Sequence, residues 1–271
     1  MTTPPFAFAT AMVIATLVAF STAGQDDDPA PLPETVQPVP SSETRSRPAG
    51  WGSRSWRDQH EDGRRFLRES THPRGADLVL LGDSITQSFG GEGRQTGQPG
   101  RTALVTALPD LVVANQGISG DRTQHLLWRL ENGALAGRNP GFVAVMIGTN
   151  NLPHDEGAEI SAGVIEVVRA VRRIAPSSVV LLHAIPPRGT EPDDPMRGRA
   201  ALANAQARSF AETDPKIVWI DPWPSLLDET SRPRPGFMAG DAVHFGPKGY
   251  TLWATRLQEV VRKPRDSESS S

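Results

Sequence analysis

Five short apolar runs, at residues 78–81, 111–114, 142–147, 179–183 and 217–220, recur along the chain with helix-period segments between them. This alternation limits the fold more than any other feature, because a strand that leads through a helix to the next strand makes a crossover, and crossovers make parallel neighbours. Parallel strands are covered on both faces, which accounts for runs such as "LVLL" and "VVLL" being apolar throughout rather than alternating. Helical candidates are 51–70, 121–131, 158–174, 196–212 and 247–261, with Pro247 suited to a first helical turn. The expectation is an α/β fold with helices on both faces of a mainly parallel sheet of about five strands.

This pattern occupies 51–263, and the ends read differently. Residues 1–23 carry no charged side chain, hold an apolar run from Phe6 to Phe20 and close on Ser21-Thr22-Ala23. They read as a signal peptide cut near Ala23, hence an exported protein, periplasmic or secreted, with an uncleaved membrane anchor as the rival. Residues 24–50 are proline-rich and without apolar periodicity, so they read as a disordered linker; 264–271 read as a disordered tail. Within that linker Asp26, Asp27, Asp28, Glu34 and Glu43 stand against Arg45 and Arg47, which accounts for the whole formal charge of −3. Everything from Ala49 onward is formally neutral and has no electrostatic footprint for nucleic acid or an anionic membrane. Zero cysteines exclude disulfides, thiol nucleophiles and cysteine-ligated zinc.

In open parallel sheets ligands bind beyond the carboxyl ends of the strands, and the polar irregular segments fall there. Gly82-Asp83-Ser84 follows the first run, "NQGISGD" (115–121) the second, "GTNN" (148–151) the third, and "GDAVHFGPKGY" (240–250) the fifth, after a long loop. The chemistry such a set performs is acyl transfer. A serine hydroxyl is a poor nucleophile until an imidazole takes its proton, and the imidazole needs a carboxylate to fix its tautomer. Asp241 and His244 are three apart, so one turn brings the carboxylate onto Nδ1 and leaves Nε2 for Ser84. Donors for the oxyanion would be the Ser84 and Gly120 backbone N–H groups and the Asn150 side-chain amide. Asp83 reads as structural, bonding the turn that presents Ser84; Asp121, with Arg122, reads either as orienting the second block or, more plainly, as a carboxylate at a helix N-terminus. Trp56 and Trp128 read as packing residues, and His154 is placed to line the cleft. No two histidines have metal-ligand spacing.

At these residues the chain resembles the SGNH (GDSL-type) hydrolases over roughly 51–261. Gly82-Asp83-Ser84 matches that family's first block, Gly120 the second, Gly148 to Asn150 the third, and Asp241 with His244 the fifth. The phrases "SGDRTQHLLWRLENG", "GTNN" and "PPRG" are most similar to the catalytic subunits of intracellular platelet-activating factor acetylhydrolase. Ile85 stands where the eponymous motif has leucine, and Asn151 where many members have aspartate. The resemblance implies a three-layer α/β/α, flavodoxin-like sandwich and a serine esterase or acetylesterase that cleaves small acyl esters with no cofactor and no metal. Its partner is a small-molecule or carbohydrate ester, with a homodimer left open. Two rivals remain at this point: a non-catalytic carbohydrate- or partner-binding domain on the same fold, and a lipase-like acylhydrolase for longer chains.

Overall fold

The computed structural model describes residues 31–42, 55–91 and 98–263. The segment read as a signal peptide, Trp51 and the C-terminal tail lie outside the described residues. Among those described, no helix is long and apolar enough to cross a membrane.

Five strands, β1 (Leu78–Gly82), β2 (Val113–Gly117), β3 (Phe142–Met146), β4 (Val179–His183) and β5 (Ile217–Ile220), form one sheet in the order β2-β1-β3-β4-β5. Every pairing is parallel. This is the flavodoxin-like order, whose chain direction reverses between β1 and β3 and opens a crevice there at the carboxyl ends of the strands. The helices are α1 (Trp56–Glu69), α2 (Ser84–Gln87), α3 (Arg101–Ala107), α4 (Thr123–Glu131), α5 (Gly157–Ile174), α6 (Pro195–Ala211) and α7 (Pro247–Val261).

Alternate strand residues feed the two outer layers. Val79, Leu81, Val143, Val145, Val180 and Leu182 join the core made with α1, α4, α5 and α6. Leu78, Leu80, Ala144, Met146 and Leu181 face the other way, into Phe89, Leu104, Tyr250 and Trp253 of the α3 and α7 side. Both faces are thus dry, as an all-parallel sheet requires.

Two expectations need correction. The second strand begins two residues later than its apolar run and continues through Asn115, Gln116 and Gly117. It can do so because each polar group is met: Asn115 Nδ2 donates to the carbonyls of Thr86 and Gly90 at 3.0 and 2.9 Å, and Gln116 Nε2 to Ala134 O at 2.7 Å. The stretch 32–42, inside the segment read as a disordered linker, lies on the domain. Thr35 is buried, its hydroxyl donates to Glu159 O at 2.7 Å, and its carbonyl accepts from the Thr123 hydroxyl at 2.9 Å. A proline-rich chain without apolar periodicity can still be held by hydrogen bonds from elements it meets far along the sequence.

Candidate active site

Ser84 opens α2 directly after β1. Asp83 caps that short helix, its Oδ1 accepting from Ile85 N–H at 2.9 Å, as expected of a residue that shapes the turn. Gly82 is needed at the strand exit, since a Cβ there would stand 2.4 Å from the Met146 carbonyl oxygen. The turn is also tied from α7: the Tyr250 hydroxyl donates to Ile85 O at 2.8 Å.

Asp241 and His244 sit on a loop closed by an antiparallel bridge between Met238 and Phe245, just before α7. One Asp241 oxygen accepts from the backbone N–H groups of Val243 and His244, each at 3.0 Å. The other lies 2.6 Å from His244 Nδ1, and His244 Nε2 lies 2.9 Å from Ser84 Oγ. Serine, imidazole and carboxylate therefore form one hydrogen-bonded chain in the order the sequence suggested. Burial pushes the Asp241 carboxyl up, but the hydrogen bonds from the His244 ring and from the two N–H groups outweigh it and hold the carboxyl below its ordinary value. A carboxylate kept ionised is the form that orients an imidazole and stabilises its cation.

Gly120, at φ +81°, and the Gly148–Asn150 turn complete the rim. Asn150 Nδ2 donates to Asp121 O at 2.9 Å, which links the loops after β2 and β3. An amide nitrogen carries two hydrogens, so one remains for a substrate oxygen. Among the described residues the N–H groups of Ser84 and Gly120 have no acceptor. Asn151, the next residue, points elsewhere and is fully buried, accepting from Thr123 N–H at 3.1 Å and donating to Asp155 Oδ2 at 2.8 Å.

A match to the model of the GDSL-like lipase/acylhydrolase family spans residues 80–252, more than half of the chain and all of the loops just described. The chain belongs to this family. The hydrolase is 31% identical over 248 residues to the platelet-activating factor acetylhydrolase IB subunit alpha1 of Rattus norvegicus, a match covering 88% of this chain and 91% of that one. It is 31% identical over 247 residues to the human alpha2 subunit, covering 87% and 91%. Among solved structures, a variant of an acetyl-xylooligosaccharide esterase from Geobacillus stearothermophilus superposes with a TM-score of 0.57 at 22% identity, covering 70% of this chain and 95% of that one. That likeness bears on the fold; the family and the acetylhydrolase relatives make the chain a carboxylic ester hydrolase.

Three residues of the hydrolase's site region were not singled out in the sequence. Arg188, in "PPRG" after β4, donates to Thr149 O at 2.9 Å, beside Asn150. Its neighbour Gly189 donates to Ala242 O at 3.0 Å, so this loop braces both the Asn150 turn and the Asp241–His244 loop. Tyr250, the one tyrosine in the chain, was a visible oddity. Arg129, within "LLWRLE", interrupts an apolar helix face. His154 is exposed, whereas His60, His125 and His183 are buried. Among the described residues no group of three or more His, Asp or Glu side chains is placed to hold a metal ion.

Asp83 yields a test of its own. Burial, together with the nearby Asp121 charge, raises its carboxyl to about 7 against the opposing Ile85 hydrogen bond. The folded protein therefore holds this proton through a pH range in which the unfolded chain has lost it. Stability is fully present below about pH 4 and falls as pH rises towards 7, by at most about 1.4 kcal/mol per pH unit from this group. Asp83→Asn keeps the acceptor for Ile85 and removes the slope. Urea unfolding from pH 4.5 to 7.5 is expected to give a wild-type stability that declines relative to the variant; parallel curves would disprove it.

Proposed function

We propose that the protein is a serine acetylesterase in which Ser84 attacks a small ester, His244 takes and returns the proton, and Asp241 orients the imidazole. The observation that carries this reading is the unbroken chain of hydrogen bonds from Asp241 through His244 to Ser84, at 2.6 and 2.9 Å, on the rim where the sheet order reverses. As Oγ bonds to the carbonyl carbon, its proton passes to Nε2. The developing oxyanion meets the N–H groups of Ser84 and Gly120 and the Asn150 amide. His244 then protonates the departing alcohol, and water repeats the sequence to release the acid and restore Ser84. The proton moved in the first half comes from Ser84 and that in the second half from water, each passing through His244, so the mechanism calls on no cofactor.

Acetyl as the transferred group is supported by the names of the relatives, which include acetylhydrolases and, at the level of fold, an esterase acting on acetylated xylooligosaccharides. Those substrates share the acetyl group and differ in the alcohol. The test is a hydrolysis panel of nitrophenyl esters from acetate to palmitate beside acetylated sugars. kcat/KM is expected to be highest for acetate and to fall with chain length; a maximum at long chains would replace this reading by a lipase. Export is inferred from residues 1–23, and the mass of the mature chain from its native host decides it: a chain that keeps Met1 or Thr2 would refute cleavage.

A further inference from the structure

Asp121, between Gly120 and α4, is fully buried rather than a solvated carboxylate at a helix start. Its Oδ2 lies 2.7 Å from Nη2 of Arg129, whose side chain is also buried. Its Oδ1 accepts from the indole N–H of Trp56, on α1, at 2.6 Å. The same guanidinium donates through Nη1 to Gln116 O at 2.7 Å and through Nη2 to Gly82 O at 3.3 Å, which are carbonyls at the carboxyl ends of β2 and β1.

An ion pair withdrawn from water gains little over apolar residues of the same shape, because each charge loses its hydration, so stability alone does not account for this one. The geometry points to another use. Both Asp121 oxygens are gripped, one by a cation and one by an indole, and this fixes the residue whose carbonyl, in turn, accepts from Asn150 Nδ2 at 2.9 Å. The cation is itself registered on the sheet through Gly82, two residues before Ser84. We infer that Trp56, Asp121 and Arg129 form a buried positioning unit that sets the Asn150 amide relative to Ser84. This rests on the proposed role of Asn150 as an oxyanion donor. Such a donor works only if it is already aimed where charge will develop, and a misplacement of about 1 Å can cost up to about 10²-fold.

Trp56→Phe is the sharpest probe, because it removes the indole N–H while leaving a ring against His60 and Trp128. On nitrophenyl acetate kcat is expected to fall about tenfold, with KM within about twofold of wild type, since the lost contact acts only where charge develops. A general loosening of the fold would instead lower the melting temperature and leave kcat per folded molecule unchanged. In an Asn150→Ala background the same change is expected to alter kcat by less than about twofold, because residues acting through one group are not additive. Arg129→Lys, which keeps the charge without the planar fork, is expected to lose kcat in the same sense. Wild-type kcat in Trp56→Phe beside a crippled Asn150→Ala overturns the positioning unit alone, as does a loss that multiplies in full with Asn150→Ala. Full activity in Asn150→Ala itself overturns the oxyanion assignment, and the positioning unit with it.

Discussion

Ser84→Ala is expected to lower kcat on nitrophenyl acetate by on the order of 10⁴-fold or more, while the protein still folds and binds substrate. The size follows from the loss of the attacking atom itself: without Oγ there is no acyl-enzyme, and what remains is the slow attack of water aided by the oxyanion donors. The fold is expected to survive because the change deletes one hydroxyl from a small buried residue, and the loop that carries His244 keeps its other ties. Those include the Ala239 N–H to His244 O bond at 2.8 Å and the Met238–Phe245 bridge, while the Ser84 turn keeps the Tyr250 bond to Ile85 O at 2.8 Å. A fluorophosphonate, which reacts with activated serines, should label wild type and leave the variant unlabelled. Equal labelling of the two would place the nucleophile at another residue.

The chain of hydrogen bonds from Asp241 through His244 to Ser84 was legible in the sequence for a topological reason. Once strand and helix alternate, the parallel sheet and its reactive rim follow, and each candidate can be placed by counting residues past a strand end. β4, β5 and α7 fall where the apolar runs and Pro247 put them, because a strand buried on both faces is apolar throughout and a proline marks a first turn. β2 did not, since hydropathy registers Asn115 and Gln116 as polar without registering the carbonyls that receive them. α3 had no signal to find: Gly100 gives no side-chain cap, and within the helix Leu104 and Ala107 are the buried residues.

Arg129 is the more instructive miss. Its place beside Leu126 and Leu130 on a buried helix face was open to view, and a cation there demands a partner. Which partner it has was not open to view. Trp56 meets Asp121 across a separation of 65 residues, and no periodicity carries that information. Local pattern reports which face of an element is buried, whereas the satisfaction of a buried charge depends on elements that meet only after the sheet has formed.

The two asparagines of the third block set the proposed oxyanion role of Asn150 against the packing role of Asn151 in adjacent residues. Removing an oxyanion donor typically costs about 10²–10³ in kcat, so Asn150→Ala is expected to depress kcat by about that factor with KM for a short ester nearly unchanged. Its stability should move little, because the side chain is partly exposed and its recorded bond is a single donation to Asp121 O. Asn151→Ala should invert the pattern. That side chain is fully buried, and its truncation strands the Thr123 N–H at the start of α4 and the acceptors at Gln124 and Asp155. A buried group left without its partner costs about 1–3 kcal/mol, which is expected as a lowered urea midpoint with kcat per folded molecule within a few-fold of wild type. Kinetics on nitrophenyl acetate beside urea unfolding of both variants decides the matter. A crippled kcat in Asn151→Ala with an active Asn150→Ala would shift the donor by one residue. Two active variants would leave the backbone N–H groups of Ser84 and Gly120 as the only oxyanion donors of the proposed set.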